Sequence, residues 1–121
     1  MDDNMFELPE RVGGYVEIET GHLSLSDQTF AAISEDIASY TNGVIVCGQL
    51  DNSEFTGEVI ALADRLQFPI IADPLSQLRS GEHDGQHIID AYDAFLRNEE
   101  AKAVLKPDVI IRFGAMPISK A

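Results

Sequence analysis

The sequence predicts a doubly wound α/β fold, a parallel sheet with helices on both faces. Three observations carry that prediction. Short apolar, β-branched runs recur at residues 44–47 (VIVC), 69–72 (PIIA) and 108–113 (DVIIRF), and each stops at a glycine or at Asp73-Pro74. Apolar residues between the runs recur at three- and four-residue spacing, the period of one helix face. The runs are too far apart for tight hairpins, and parallel strands need crossovers of about that length.

In chain order, residues 1–13 are acidic and aperiodic and read as a flexible lead-in to a domain covering residues 14–121. Residues 15–19 (YVEIE) alternate as a half-exposed extended segment does. Ser24, three residues before Asp27, resembles a helix start, and Phe30, Ile33, Ile37 and Tyr40 then mark one face of about four turns. Asn42-Gly43 supplies a left-handed stop. The run 44–47 follows as a buried parallel strand. Ser53 can cap the next helix, whose stripe is Phe55, Val59, Leu62 and Leu66. The strand 69–72 leads into the longest polar loop, residues 73–85. Ile88, Tyr92, Phe95 and Leu96 read as another helix face, and residues 99–105 as a short helical piece. The run 108–113 reads as a strand buried on both faces, delivering a loop that ends in Ser119 and Lys120. A doubly wound sheet is expected to continue beyond Gly114, so the sequence reads as a C-terminally truncated piece of a larger protein.

The chain has 121 residues, one domain's worth, and 45% of them are hydrophobic, enough for a core. No apolar run approaches the roughly 20 residues of a membrane helix. The single cysteine leaves no internal disulfide, and a reducing cytoplasm is the simplest expectation. The formal net charge of −13 excludes a nucleic-acid binder that must neutralise phosphates. That charge is uneven. Residues 1–60 hold 12 acids and one base, net −11, and residues 61–121 hold 9 acids and 7 bases, net −2. An anionic ligand would therefore be met in the second half.

The turns after the strands lack the glycine pattern that cradles a pyrophosphate, so the residues predict no dinucleotide site. His83 and His87, beside Glu82, Asp84 and Asp90, stand at a spacing that a helix could turn into a metal site. Gly81 and Gly85 favour a plain polar loop instead, and no metal site is expected. Cys47 reads as core packing, and Ser24, Ser26 and Ser53 as helix caps. Arg79, Arg112 and Lys120 are the cations of interest. Arg112 interrupts an apolar strand and is expected to pair with an acid such as Asp73. Lys120 ends a strand-end loop, where open α/β sheets bind ligands. Its pattern alone reads as a solvated surface lysine.

Two stretches, residues 69–81 (PIIADPLSQLRSG) and 107–120 (PDVIIRFGAMPISK), resemble the central domain of the 2-succinyl-5-enolpyruvyl-6-hydroxy-3-cyclohexene-1-carboxylate synthases. Residues 44–51 (VIVCGQLD) and 90–97 (DAYDAFLR) fit the versions from Bacillus-like bacteria. The resemblance implies a three-domain thiamine-diphosphate transferase of menaquinone biosynthesis. Such enzymes decarboxylate 2-oxoglutarate with Mg²⁺ or Mn²⁺ and add the succinyl unit to isochorismate. They assemble as dimers or tetramers, and their central domain has six parallel strands and is not known as a flavin site. This sequence has no Gly-Asp-Gly metal motif, so no catalytic, cofactor or metal residue transfers to it, and the isolated domain is expected to be inactive. What transfers is Lys120, at a family position that reaches the substrate carboxylate. Some members are inhibited by a dihydroxynaphthoate held by arginines, which makes Arg79 and Arg112 candidates for an anionic effector. Two other readings stay open: a stand-alone α/β module that binds a carboxylate at the same rim, and the central domain of another thiamine-diphosphate enzyme that binds a nucleotide.

Overall fold

The computed structural model describes residues 18–118. Four strands, β1 (Gly43–Cys47), β2 (Ile70–Ala72), β3 (Ile88–Ile89) and β4 (Val109–Phe113), form one sheet in the order β3-β2-β1-β4. Every pairing is parallel, with Cys47 opposite Ala72 on one side and Phe113 on the other. The chain moves outward from β1 through β2 to β3, then returns to the far side of β1. The order therefore reverses between β1 and β4, the switch point of a doubly wound sheet.

Both faces of the central strands β1 and β2 are covered. Helix α2 (Phe55–Leu66) lays Phe55, Val59 and Ala63 against Ile45, Cys47, Ile70 and Ala72, with Phe68 and Leu78 completing that layer. The opposite face packs Val44 and Ile71 against Tyr92 of α3 (Tyr92–Phe95), with Leu96 and Leu105 alongside. Leu105 closes α4 (Glu99–Leu105), which Asn98 caps by accepting from the Glu100 and Ala101 amides. Burial of this kind contributes about 1.5–3 kcal/mol for each large apolar side chain. Phe68, Ile45 and Ile70 are at most 1% exposed, which puts them at the centre of that term.

Several sequence expectations change. Helix α1 (Asp27–Ala38) is capped by Ser26, whose Oγ accepts from the Thr29 amide, and not by Ser24. Its predicted stripe is little buried: no α1 residue is fully buried, and Phe30 and Ile33 are exposed. Gly43 is the first residue of β1 and not a left-handed stop. The left-handed helix end is Gln67 after α2, at φ 56°. Ser53 does not cap α2. Asn52 Oδ1 instead accepts from the Glu54 amide ahead of it. Ile88 belongs to strand β3, not to a helix.

The largest change concerns residues 108–113. β4 is an edge among the described strands, with half-buried and exposed residues alternating along it, so it is not buried on both faces. Ile110 and Arg112 point to the open side. Of the predicted extended segment 15–19, only Ile18 and Glu19 are described, and they carry no regular structure. The lead-in 1–13 and Lys120 lie outside the described residues.

Core and rim can be told apart by mutation. Phe68→Ala should cost about 3–5 kcal/mol in urea unfolding, because Phe68 fills the centre of one layer. Val104→Ala on α4, 82% exposed, should stay within about 0.5 kcal/mol.

Candidate functional site

All four parallel strands point their carboxyl ends to one rim, and three strand-end segments meet there. After β2, the Asp73 amide donates to Cys47 O at 2.9 Å, which extends the ladder by one residue. The chain then turns through a short 3₁₀ helix, Pro74–Ser76. Pro74 suits that turn because its ring presets φ and its missing N–H has no helical partner to lose. The carboxylate of Asp73 caps the turn, with Oδ1 accepting from the Leu75 amide at 3.0 Å. Ser76 closes it by donating its hydroxyl to Asp73 O at 2.6 Å.

The other carboxylate oxygen reaches outward. Asp73 Oδ2 accepts from the Ile118 amide at 2.9 Å and from the Tyr92 hydroxyl at 3.2 Å. Asp73 is 1% exposed. Burial pushes its pKa up, but the Leu75, Ile118 and Tyr92 hydrogen bonds and the nearby Arg79 charge outweigh that. The net result lies below the ordinary aspartate value, so the group is a buried anion held by donors from three parts of the chain.

The segments after β1 and β4 interlock through backbone. Gly48 N donates to Phe113 O at 2.9 Å, and Ala115 N donates to Gln49 O at 3.0 Å. A Cβ on Gly48 would run into the Ala115 carbonyl, and one on Gly114 into that of Gln49. Gly114 also sits at φ 74°, a conformation that glycine adopts at little cost. The two glycines that end the strands therefore serve close backbone approach. They bring backbone against backbone at this rim, and the nearby carboxylate already accepts from three protein donors.

Arg79 donates Nε–H to Ala72 O at 2.9 Å, and its guanidinium lies 5.7 Å from the Tyr92 ring centroid. It lines a shallow cavity of about 190 Å³ with Ser80, His83 and Asp90. Arg112 is elsewhere, exposed on β4 with Nη1 3.8 Å from Met116 Sδ. The expected Arg112–Asp73 pair is thus not formed. Parallel registry puts Arg112 opposite Val46, one strand away from β2, and Asp73 takes its donors from Tyr92 and the backbone.

His83 and His87 do not converge either. His83 Nε2 lies 2.8 Å from Leu78 O, and His87 Nε2 is 3.5 Å from Asp64 Oδ1. Among the described residues no three His, Cys, Asp or Glu side chains gather where a metal could be held. Cys47 is in the core, where burial pushes its thiol up to about 12, far from a thiolate at neutral pH.

Sequence reasoning named Asp73 only as a partner for Arg112. The Asp-Pro step after a strand was the available signal, because aspartate commonly caps its own turn. Nothing local pointed to Ile118, 45 residues away.

The family model described as "Middle domain of thiamine pyrophosphate" matches residues 12–121. The 2-succinyl-5-enolpyruvyl-6-hydroxy-3-cyclohexene-1-carboxylate synthase of Bacillus velezensis is 49% identical over 110 residues, 91% of this chain and 19% of that protein. The synthase of the same name from Geobacillus thermodenitrificans is 46% identical over 120 residues, 99% of this chain and 20% of that protein. The one from Geobacillus kaustophilus is 44% identical over 120 residues, 99% and 21%. The chain thus spans about a fifth of the length of these curated relatives.

The carboxylate cluster makes a pH prediction. The folded-state pKa of Asp73 is depressed, so its contribution is complete above the unfolded value of about 3.9 and drains away as pH falls through the folded value. Asp73→Asn should cost about 1–3 kcal/mol at neutral pH. The gap between parent and variant should narrow as pH drops below about 4, read by denaturant unfolding at successive pH values.

Proposed function

The chain belongs to the family of thiamine pyrophosphate enzyme middle domains, and from that premise we propose that it is the central domain of a 2-succinyl-5-enolpyruvyl-6-hydroxy-3-cyclohexene-1-carboxylate synthase. In this reading the complete polypeptide is a cytoplasmic transferase of menaquinone biosynthesis. It decarboxylates 2-oxoglutarate and adds the succinyl unit to isochorismate, working as a dimer or tetramer. Residues 14–121 form the central domain, and residues 1–13 lead into it. The observation that carries the reading is 46% identity over 120 residues, nearly the whole chain, to a protein of that name.

Nothing among the described residues fits thiamine diphosphate or its Mg²⁺ or Mn²⁺. The strand-end glycines are packed on backbone, and the buried carboxylate is spent on amides and a hydroxyl. We assign those groups to other parts of the complete polypeptide, with this domain contributing no turnover of its own. Its own chemical contribution is Lys120. Two residues before it, the Ile118 amide is fixed to the buried Asp73. An ammonium delivered from such a support orients a carboxylate by charge and position, without exchanging protons.

In the full-length protein, Lys120→Ala should raise the KM for isochorismate about 10-fold or more, which is about 1.4 kcal/mol of lost stabilisation. Decarboxylation of 2-oxoglutarate should change less. An unchanged second-substrate profile would return Lys120 to the solvated surface.

Arg79 and Arg112 are proposed as anchors for an anionic aromatic effector of the dihydroxynaphthoate kind. Arg112 suits the task because it is exposed and, among the described residues, its guanidinium meets a thioether and no carboxylate. Calorimetry with the naphthoate on the full-length protein should show affinity lost in Arg112→Ala. Equal affinity in parent and variant would remove Arg112 from the site.

A further inference from the structure

We propose that Asp73 is a positioning residue for the acceptor-binding lysine: it fixes the Ile118 amide and so sets where the chain leaves the sheet rim on its way to Lys120. The inference rests on the reading of Lys120 given above. It adds a residue from the turn after β2, 47 positions earlier in the chain.

Four observations carry it. The carboxylate is 1% exposed, yet it is satisfied entirely by groups of the protein. A buried anion with no water to fall back on holds its donors tightly, because any one that leaves exposes an uncompensated charge. One donor is its own turn, through the Leu75 amide, which locks the carboxylate's orientation just past β2. Another is Tyr92, a buried residue of α3, which braces the same oxygen that receives Ile118. The last is the Ile118 amide itself, from the segment after β4.

β4 does not neighbour β2, because β1 lies between them. The loop after β4 therefore passes over the end of β1 to reach Asp73, and the Gly48–Phe113 and Ala115–Gln49 bonds guide it there. From Gly114 to Ile118 the chain holds Ala115, Met116 and Pro117, with Met116 and Ile118 exposed. Apart from the Met116–Arg112 contact and the half-buried Pro117, the far end of this loop is held by the bond from the Ile118 amide to Asp73.

A purely structural role would lower stability and scale all kinetic constants together. A positioning role acts only through the lysine. The test is a double-mutant cycle in the full-length protein, with Asp73→Asn, Lys120→Ala and the pair, read as KM for the carboxylate-bearing acceptor and as the rate of donor decarboxylation. Asp73→Asn should raise the acceptor KM about 5–10-fold and change decarboxylation by less than about twofold. On the Lys120→Ala background it should add nothing further, since residues acting as one unit are not additive.

Tyr92→Phe keeps the ring beneath Arg79 and removes one donor. It should give a smaller effect of the same kind, and it takes the place of Asp73→Asn in the cycle if that variant fails to fold. Full additivity with an active lysine effect would overturn the positioning role and leave the lysine reading intact. No effect of Lys120→Ala would overturn the lysine reading and this inference with it.

Discussion

A charged carboxylate with almost no access to water has to be surrounded by donors, and that requirement organises this structure. Asp73 stands at the end of a central strand, where the ladder has just run out. Its neighbours are the turn it caps, a tyrosine from the helix on one face, and a backbone amide from the far side of the sheet. Removing water from an anion is costly, and the cost is offset only when all of these groups are in place together. Elements distant in sequence thereby share one energetic condition. The nearby guanidinium of Arg79 adds favourable charge while remaining at the surface, tied to Ala72 O and stacked near Tyr92.

The rest of the rim is arranged so that the condition can be met. The sheet order reverses between β1 and β4, and in open α/β folds that reversal opens a crevice for ligands. Here Gly48 and Gly114 let the two strand-end segments close on each other through backbone contacts. The loop after β4 lies against the segment after β1 at this reversal, and its Ile118 amide reaches Asp73. This arrangement suits a domain that supplies a side chain to a site formed elsewhere more than one that encloses a cofactor. It also accords with a family in which this domain is about a fifth of the polypeptide.

Much of the fold could be read in advance, and the reasons are local. The runs at 44–47 and 69–72 are apolar on both faces because they are central strands. Of the α2 stripe, Phe55 and Val59 are buried while Leu62 and Leu66 pack half-buried beside them, with Ala63 the third buried residue. The errors also have physical causes. Ile88 and Ile89 form a strand of two residues, too short to show a period of two, and Tyr92 and Leu96 lent them a helical look. Ser24 and Ser26 are equally good caps by type, and only the path of the chain selects Ser26.

Residues 108–113 look like a central strand because their composition is that of one, yet nothing covers the outer face among the described residues. Arg112 is the one polar interruption in that run, and it lies on the open side as alternation requires. The Asp73–Ile118 bond was not legible at all, because no spacing rule connects an aspartate to an amide contributed by a loop two strands away. Lys120, the residue with the sharpest functional expectation, follows directly from that bond in the chain.

The most direct test of the central claim is amide hydrogen exchange at Ile118. If the buried carboxylate holds the loop, this exposed residue's amide exchanges far more slowly than a loop amide in water, and Asp73→Asn restores fast exchange there while the β1 amides stay protected. Fast exchange at Ile118 in the parent protein, or slow exchange unaltered by the substitution, would contradict the account.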